Sequence, residues 1–124
     1  MKIFVYGTLA DKGAFGRCAG RPLRHEPVPA RLHGFARVKL RGARYPTLRR
    51  APGAHVPGMV IRINADMLVR LQAYESVRYR LMRVRLAAED GAHRALVFMG
   101  DAPTRIIWAP DLRLMTLRLS LIHI

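Results

Sequence analysis

The sequence of 124 residues predicts one α+β domain, a small, mainly antiparallel β-barrel or curved mixed sheet with one main helix. Three observations predict this fold. Short segments rich in β-branched and aromatic residues recur along the chain, separated by glycine and proline, as strands and turns are. Residues 65–75 carry apolar side chains at helical spacing. The length and the 51% hydrophobic content suit a single packed core.

The N-terminal half predicts two strands joined by a loop. Residues 2–8 are short, β-branched and aromatic, and Gly7 closes them, so they predict a buried strand. Residues 10–25 are small, polar and glycine-rich, which predicts a loop with at most one short helix. From Ala30 to Leu40 apolar residues alternate, which predicts a strand with a kink at Gly34.

The middle of the chain predicts two separate extended pieces. Residues 45–49 are the first, because Pro46 restricts the residue before it to extended geometry. Residues 59–63 are the second, a short apolar strand. Two proline-glycine pairs lie between them and predict turns, Pro52-Gly53 and Pro57-Gly58.

The main helix is predicted over residues 65–75, directly after a capping residue. The Asn64 side chain can accept a hydrogen bond from the first turn, and Asp66 suits the positive N-terminal end of the helix. Apolar side chains at helical spacing then define the face that turns inward, namely Met67, Leu68, Leu71 and Tyr74.

A β-hairpin is predicted after the helix. Residues 78–88 alternate, and the apolar face is assigned to residues 82, 84 and 86. Glu89-Asp90-Gly91 provides the turn, and residues 93–99 form the returning strand. Residues 109–124 are a segment of uncertain status, because their alternating apolar residues fit either an edge strand or non-native sequence from a misread reading frame. No function is assigned to them.

The chain is strongly basic, with a net charge of +14 from 22 basic residues, 19 of which are arginine. Such a surface attracts anionic substrates, nucleic acid or acidic lipid. The arginines are scattered, however, and Arg49-Arg50 is the one adjacent pair. This scatter favours a general arginine bias over a nucleic-acid-binding arm, although the net charge leaves nucleic acid open as a partner.

The composition predicts a cytoplasmic protein that does not cross a membrane. The single cysteine, Cys18, permits no internal disulfide and no cysteine zinc site, which fits a reducing compartment. No apolar run approaches the roughly 18–20 residues that a membrane-spanning helix needs, and the apolar stretch after Lys2 is too short for a signal peptide.

Among the eight acidic residues, Glu75 has the most hydrophobic sequence neighbourhood. It follows the apolar face of the predicted helix, and the negative end of the helix dipole disfavours a carboxylate there. Both effects predict a raised pKa and favour acid/base chemistry near neutral pH. The structural alternative is a helix-end glutamate paired with Arg78 or Arg80.

The sequence indicates no metal or organic cofactor. The five histidines show no H-x-x-x-H or H-E-x-x-H spacing, and no paired carboxylates frame a metal site. The chain also lacks a G-x-G-x-x-G fingerprint and a P-loop lysine.

Three motifs in order resemble the gamma-glutamylcyclotransferase-like (AIG2-like) family. The motifs are Tyr6-Gly7-Thr8-Leu9, then Tyr45-Pro46-Thr47-Leu48, then Leu71-Gln72-Ala73-Tyr74-Glu75 with Tyr79-Arg80. The resemblance assigns residues 1–108 to one domain of this family and implies its barrel fold. The family commonly has aspartate at the position of Gln72. A second arginine commonly follows near Tyr79-Arg80, but here Leu81-Met82 intervene before Arg83, so no arginine contact is assigned.

The resemblance implies a cyclotransferase without metal or cofactor, acting on a small γ-glutamyl-amine or γ-glutamyl-amino acid and releasing 5-oxoproline. It implies that Glu75 is the catalytic acid/base and that Tyr6, Gly7, Thr8 and Leu9 bind the substrate carboxylate, with Tyr79 lining the site. Two alternatives stay open, namely a non-catalytic basic β-barrel that binds nucleic acid and a family scaffold without activity. The sequence leaves the substrate and the oligomeric state open.

Overall fold

The structure, a computed structural model, describes residues 1–7, 25–43, 45–75 and 77–108. Residues 10–24 of the predicted loop and the segment 109–124 lie outside the described residues. The described elements, in chain order, are β1 (Lys2–Val5), β2 (Val28–Leu40), β3 (Pro46–Arg62), α1 (Ala65–Tyr74), β4 (Tyr79–Ala88), β5 (Gly91–Gly100) and β6 (Pro103–Ile107).

Five of the strands close into a barrel. The strand order is β3-β1-β5-β4-β2, and β2 pairs back with β3 to close the ring. Strand β1 runs parallel to β5, whereas the other pairs are antiparallel. The predicted α+β barrel with one main helix is therefore confirmed. Strand β6, which the sequence pattern does not reveal, adds to β2 outside the ring.

The prediction of two extended pieces between residues 45 and 63 is wrong, because a single strand of 17 residues, β3, runs through both proline-glycine pairs. The register against β2 shifts between His33 and Phe35, where four residues of β3, 51–54, lie opposite the single Gly34. Gly34 and Gly53 both have positive φ there, +82° and +84°. Pro52-Gly53 thus marks a bulge, which bends a barrel strand without ending it.

The hairpin after the helix is confirmed, with an inward face different from the predicted one. Ala88 pairs with Gly91, so the turn is the dipeptide Glu89-Asp90. Leu86 is buried in the barrel interior and Val84 packs beside it, but Met82 is 37% exposed. The first half of β4 instead buries the opposite side, through Tyr79, because that side faces the helix.

Strand β1 lies at the centre of the fold because both of its sides are buried. Ile3 and Val5 pack with the inner face of α1, which contributes Met67 and Leu71. Phe4, which lies between Ile3 and Val5, and Tyr6, the residue after the strand, fill the barrel interior. A strand buried on two sides reads as a continuous apolar run, as residues 3–6 do.

Helix α1 begins as the sequence predicts. The Asn64 side-chain oxygen accepts a hydrogen bond from the Met67 backbone N–H at 2.8 Å. Met67 and Leu71 are buried and Leu68 is half-buried, as the helical spacing requires. The Tyr74 side chain, the last predicted member of this face, lies outside the described part of the chain.

Replacing Asn64 by alanine is expected to lower the free energy of unfolding by about 1 kcal/mol, because the Met67 N–H loses its acceptor. Urea unfolding followed by circular dichroism measures the change. Asn64→Asp is the matched control, since aspartate keeps an acceptor at the cap and should stay close to wild type. An equal loss in both variants would contradict the capping role.

Candidate active site

Glu75 lies where helix α1 ends and the chain turns toward β4. Its backbone N–H donates to the Leu71 carbonyl at 2.9 Å, and its own φ and ψ, −76° and 148°, are extended. The extended geometry ends the helix at this residue. The side-chain oxygen Oε2 is buried from solvent. The predicted position of this carboxylate at the helix end therefore agrees with the structure.

Two buried tyrosines lie close to this carboxylate. The Tyr6 hydroxyl donates to the Phe98 carbonyl at 2.6 Å, and the Tyr79 hydroxyl donates to the Pro46 carbonyl at 2.7 Å. Burial raises the pKa of each phenol, and the charge of Glu75 raises both pKa values further. Glu75 therefore lies within electrostatic range of both hydroxyls. Both phenols stay protonated at neutral pH, so neither can serve as a base.

Thr47 is a buried polar residue that connects Tyr6 to β5. It is fully buried, and its hydroxyl accepts a hydrogen bond from the Gly100 N–H at 2.7 Å. A hydrogen bond with Thr47 also lowers the pKa of Tyr6, against the larger effect of burial. Sequence reasoning placed Thr47 in a motif and gave it no role. A threonine between apolar neighbours of a strand is the signal for such a buried hydroxyl.

An arginine side chain fixes the start of the segment that follows β1. The Arg37 guanidinium donates to the Tyr6 carbonyl at 2.8 Å and lies 4.8 Å from the centre of the Trp108 ring. The Trp108 backbone N–H in turn donates to the Arg37 carbonyl at 3.1 Å. Half-burial lowers the pKa of Arg37. Gly7 follows Tyr6 and is half-buried, whereas Thr8 and Leu9 lie outside the described residues.

Replacing Arg37 by methionine is expected to lower the free energy of unfolding by about 1–2 kcal/mol, because the Tyr6 carbonyl loses a charged donor. Denaturant unfolding measures the loss. The matched control is Lys39→Met, which removes the same charge from an exposed position of the same strand. Equal destabilisation of the two variants would refute the assigned hydrogen bond.

Arg78, in the connection after the helix, contacts the residue that follows β5. Arg78 bonds the Asp101 carboxylate at 2.9 Å and donates to the Arg41 carbonyl at 2.7 Å. Arg80, the other partner that the sequence offered to Glu75, is exposed on β4. The Arg78 contacts hold the connection between Glu75 and Tyr79 against the barrel.

Within the described residues, no group of three or more His, Cys, Asp or Glu side chains is arranged to hold a metal ion. The described part of the chain also has no helix long and apolar enough to cross a membrane.

The fold defines the class of protein, a small mixed five-stranded barrel with one main helix. The chain belongs to the family described as "Gamma-glutamyl cyclotransferase, AIG2-like", whose profile matches residues 3–110. The resemblance that the three motifs indicated is therefore confirmed.

Known proteins support the same family and fold. AIG2-like protein A of Arabidopsis thaliana is 31% identical over 96 residues, which are 77% of this chain and 57% of that protein. The chain thus spans little more than half the length of this curated relative. A solution structure from Arabidopsis thaliana is 26% identical, covers 94% of this chain and 80% of its own, and has a TM-score of 0.72. A gamma-glutamyl cyclotransferase structure is 19% identical, covers 83% of this chain and 68% of its own, and has a TM-score of 0.68, a likeness of fold.

Proposed function

We propose that this chain is a cyclotransferase that releases 5-oxoproline from a γ-glutamyl-amine or γ-glutamyl-amino acid. The observation that carries the proposal is the buried Glu75 carboxylate oxygen at the end of α1, in electrostatic reach of two buried tyrosine hydroxyls. A carboxylate sheltered from water is suited to accept and return a proton near neutral pH. Membership of the family supports the reaction type and leaves the substrate open.

Glu75 takes the first proton in the proposed mechanism. Its carboxylate accepts a proton from the α-ammonium group of the substrate. The freed amine attacks the γ-amide carbonyl carbon of the same molecule, which forms the five-membered ring. Ring closure gains the large advantage of an intramolecular reaction. Glu75 then returns the proton to the leaving nitrogen as the old amide bond breaks. The ring nitrogen gives up its second proton to the departing amine, so the products are 5-oxoproline and the amine as its ammonium ion.

The segment after β1 has two tasks in this proposal. Backbone N–H groups of Gly7, Thr8 and Leu9 bind the α-carboxylate of the substrate, because a glycine turn can aim successive N–H groups at one anion. Donors of the same kind stabilise the oxyanion that develops on the γ-carbonyl. The Tyr6 and Tyr79 rings line the site and exclude water from Glu75. Arg37 fixes the start of this segment through the Tyr6 carbonyl.

The test is 5-oxoproline release from a panel of γ-glutamyl-amino acids and γ-glutamyl-lysine derivatives. Turnover of at least one member, with a free amine released in equal amount, is the expected result. Release of glutamate in place of 5-oxoproline would indicate simple hydrolysis and refute the ring closure. A panel without turnover would favour the family scaffold without activity. We place the reaction in the cytoplasm, in keeping with the single cysteine.

A further inference from the structure

The strand register brings together arginines that are scattered in the sequence. Arg85 of β4 lies directly opposite Arg94 of β5, and Arg83 lies two residues before Arg85 on the same side of β4. Arg31 of β2 pairs with Ala87, the next outward residue of β4. All four arginines are exposed. They form what we call the arginine face, defined as Arg31, Arg83, Arg85 and Arg94.

The arginine face lies on the outer wall of the barrel. The residues that alternate with it on β4 and β5 point into the interior, where Leu86 and Ala95 are buried. The face is compact, because neighbouring strands lie about 4.8 Å apart and residues two positions along a strand lie about 7 Å apart. Four positive charges are therefore held within one small patch.

No acidic residue of the four long barrel strands balances this charge, since β2, β3, β4 and β5 contain no aspartate or glutamate. The β4–β5 turn carries two exposed carboxylates, of which Asp90 is bonded to His93 at 2.7 Å, so Glu89 is left in that turn against four arginines. Like charges directly opposite each other in a sheet are destabilising, so the Arg85–Arg94 pair weakens the fold unless an anion lies over it.

We propose that the arginine face binds the sugar-phosphate backbone of a nucleic acid. Arginine suits phosphate because its planar guanidinium can donate two parallel hydrogen bonds. The outward neighbours Ala87 and Ala92 are small, and Leu96, which pairs with Arg83, is half-buried, so a phosphate backbone can approach closely. Stable binding to a membrane surface also uses large apolar side chains that enter the lipid, and none of these three neighbours is large, apolar and exposed. With no exposed aromatic residue in this patch to stack on bases, binding is independent of sequence.

The test measures binding of a fluorescein-labelled, mixed-sequence single-stranded DNA by fluorescence anisotropy over a range of salt concentrations. The variant is Arg85→Ser with Arg94→Ser. The matched control is Arg62→Ser with Arg105→Ser, two exposed arginines outside the face, so that both proteins lose the same charge. Thermal unfolding accompanies each measurement. Removing the opposed pair is expected to keep or raise the unfolding midpoint, which shows that the variant is folded.

Wild type is expected to bind and to lose affinity as salt increases. The face variant should bind about tenfold more weakly at ~0.1 M salt, and its salt slope should fall by about 1.4, or roughly 0.7 for each phosphate that an arginine no longer neutralises. The control should change less than about threefold. An equal loss in the control, no binding by wild type, or binding to anionic phosphatidylserine vesicles but not to DNA would each overturn the proposal. Cyclotransferase activity has no bearing on these outcomes.

Discussion

Replacing Glu75 by glutamine is expected to lower the rate of 5-oxoproline release at least ~100-fold, because the amide cannot accept the proton of the substrate amine. The two side chains have nearly the same shape, so packing at the end of α1 should be preserved. At saturating substrate the loss should appear in kcat, since the proton transfer belongs to the chemical step. The rate of 5-oxoproline release from the panel substrate that wild type turns over fastest measures the loss.

The matched control for this prediction is Glu89→Gln, which makes the same chemical change at an exposed position in the β4–β5 turn. It should keep full activity. Both variants should unfold at a denaturant concentration close to that of wild type, so that a fall in turnover cannot be attributed to a loss of structure. Unchanged turnover in Glu75→Gln would remove this residue as the catalyst and refute the mechanism.

A second variant at the same position tests geometry as well as charge. Glu75→Asp keeps a carboxylate but withdraws it by about one methylene group. Positioning matters as much as basicity in such a site, because a displacement of about 1 Å can cost on the order of 100-fold in rate. We therefore expect activity well below wild type and above that of the glutamine variant. Activity equal to wild type would show that the carboxylate acts at a distance rather than by direct proton transfer.

The sequence predicts those parts of the fold that depend on neighbouring residues. Asn64 and the apolar residues behind it define α1 because a cap and a helical face lie within ten residues. The position of Glu75 follows from the same pattern, since it is the residue after that helix. The Glu89-Asp90-Gly91 turn is also local, and Gly91 takes the positive φ of +118° that a hairpin turn favours in glycine.

The remaining features depend on pairing between residues far apart in the chain. Thr47 reaches Gly100 across 53 positions, and Arg37 reaches Tyr6 across 31. No local pattern encodes these contacts, because register is decided by the whole barrel. The same holds for the Arg85–Arg94 pair of the arginine face. Proline and glycine misled the prediction of β3, since a strand in a closed barrel tolerates them at a bulge.

Replacing Gly58 by alanine is expected to lower the free energy of unfolding by about 3 kcal/mol, because the added Cβ has no space. Gly58 pairs with Ala30 of β2, and its backbone passes closely over β1. The Cβ would collide with the Val5 backbone oxygen and lie 2.6 Å from Cζ of Phe4. Phe4 is fully buried in the barrel interior, and the Val5 oxygen belongs to the backbone of β1. Neither can move without disturbing the strand that leads to Tyr6, so activity should fall with stability.

A control variant and a compensating substitution test whether the missing space at Gly58 causes the loss of stability. Gly53→Asn lies on the same strand, where nothing stands within 4 Å of a new Cβ and asparagine tolerates the positive φ. It should cost less than about 1 kcal/mol. Adding Phe4→Leu to Gly58→Ala removes the ring from the collision, so the double variant should lose less than the sum of the two single losses. The Val5 oxygen remains in place, and the rescue should therefore be partial. Denaturant unfolding measures the losses. If they are additive, the collision with the Phe4 ring is not the cause of the destabilisation by Gly58→Ala.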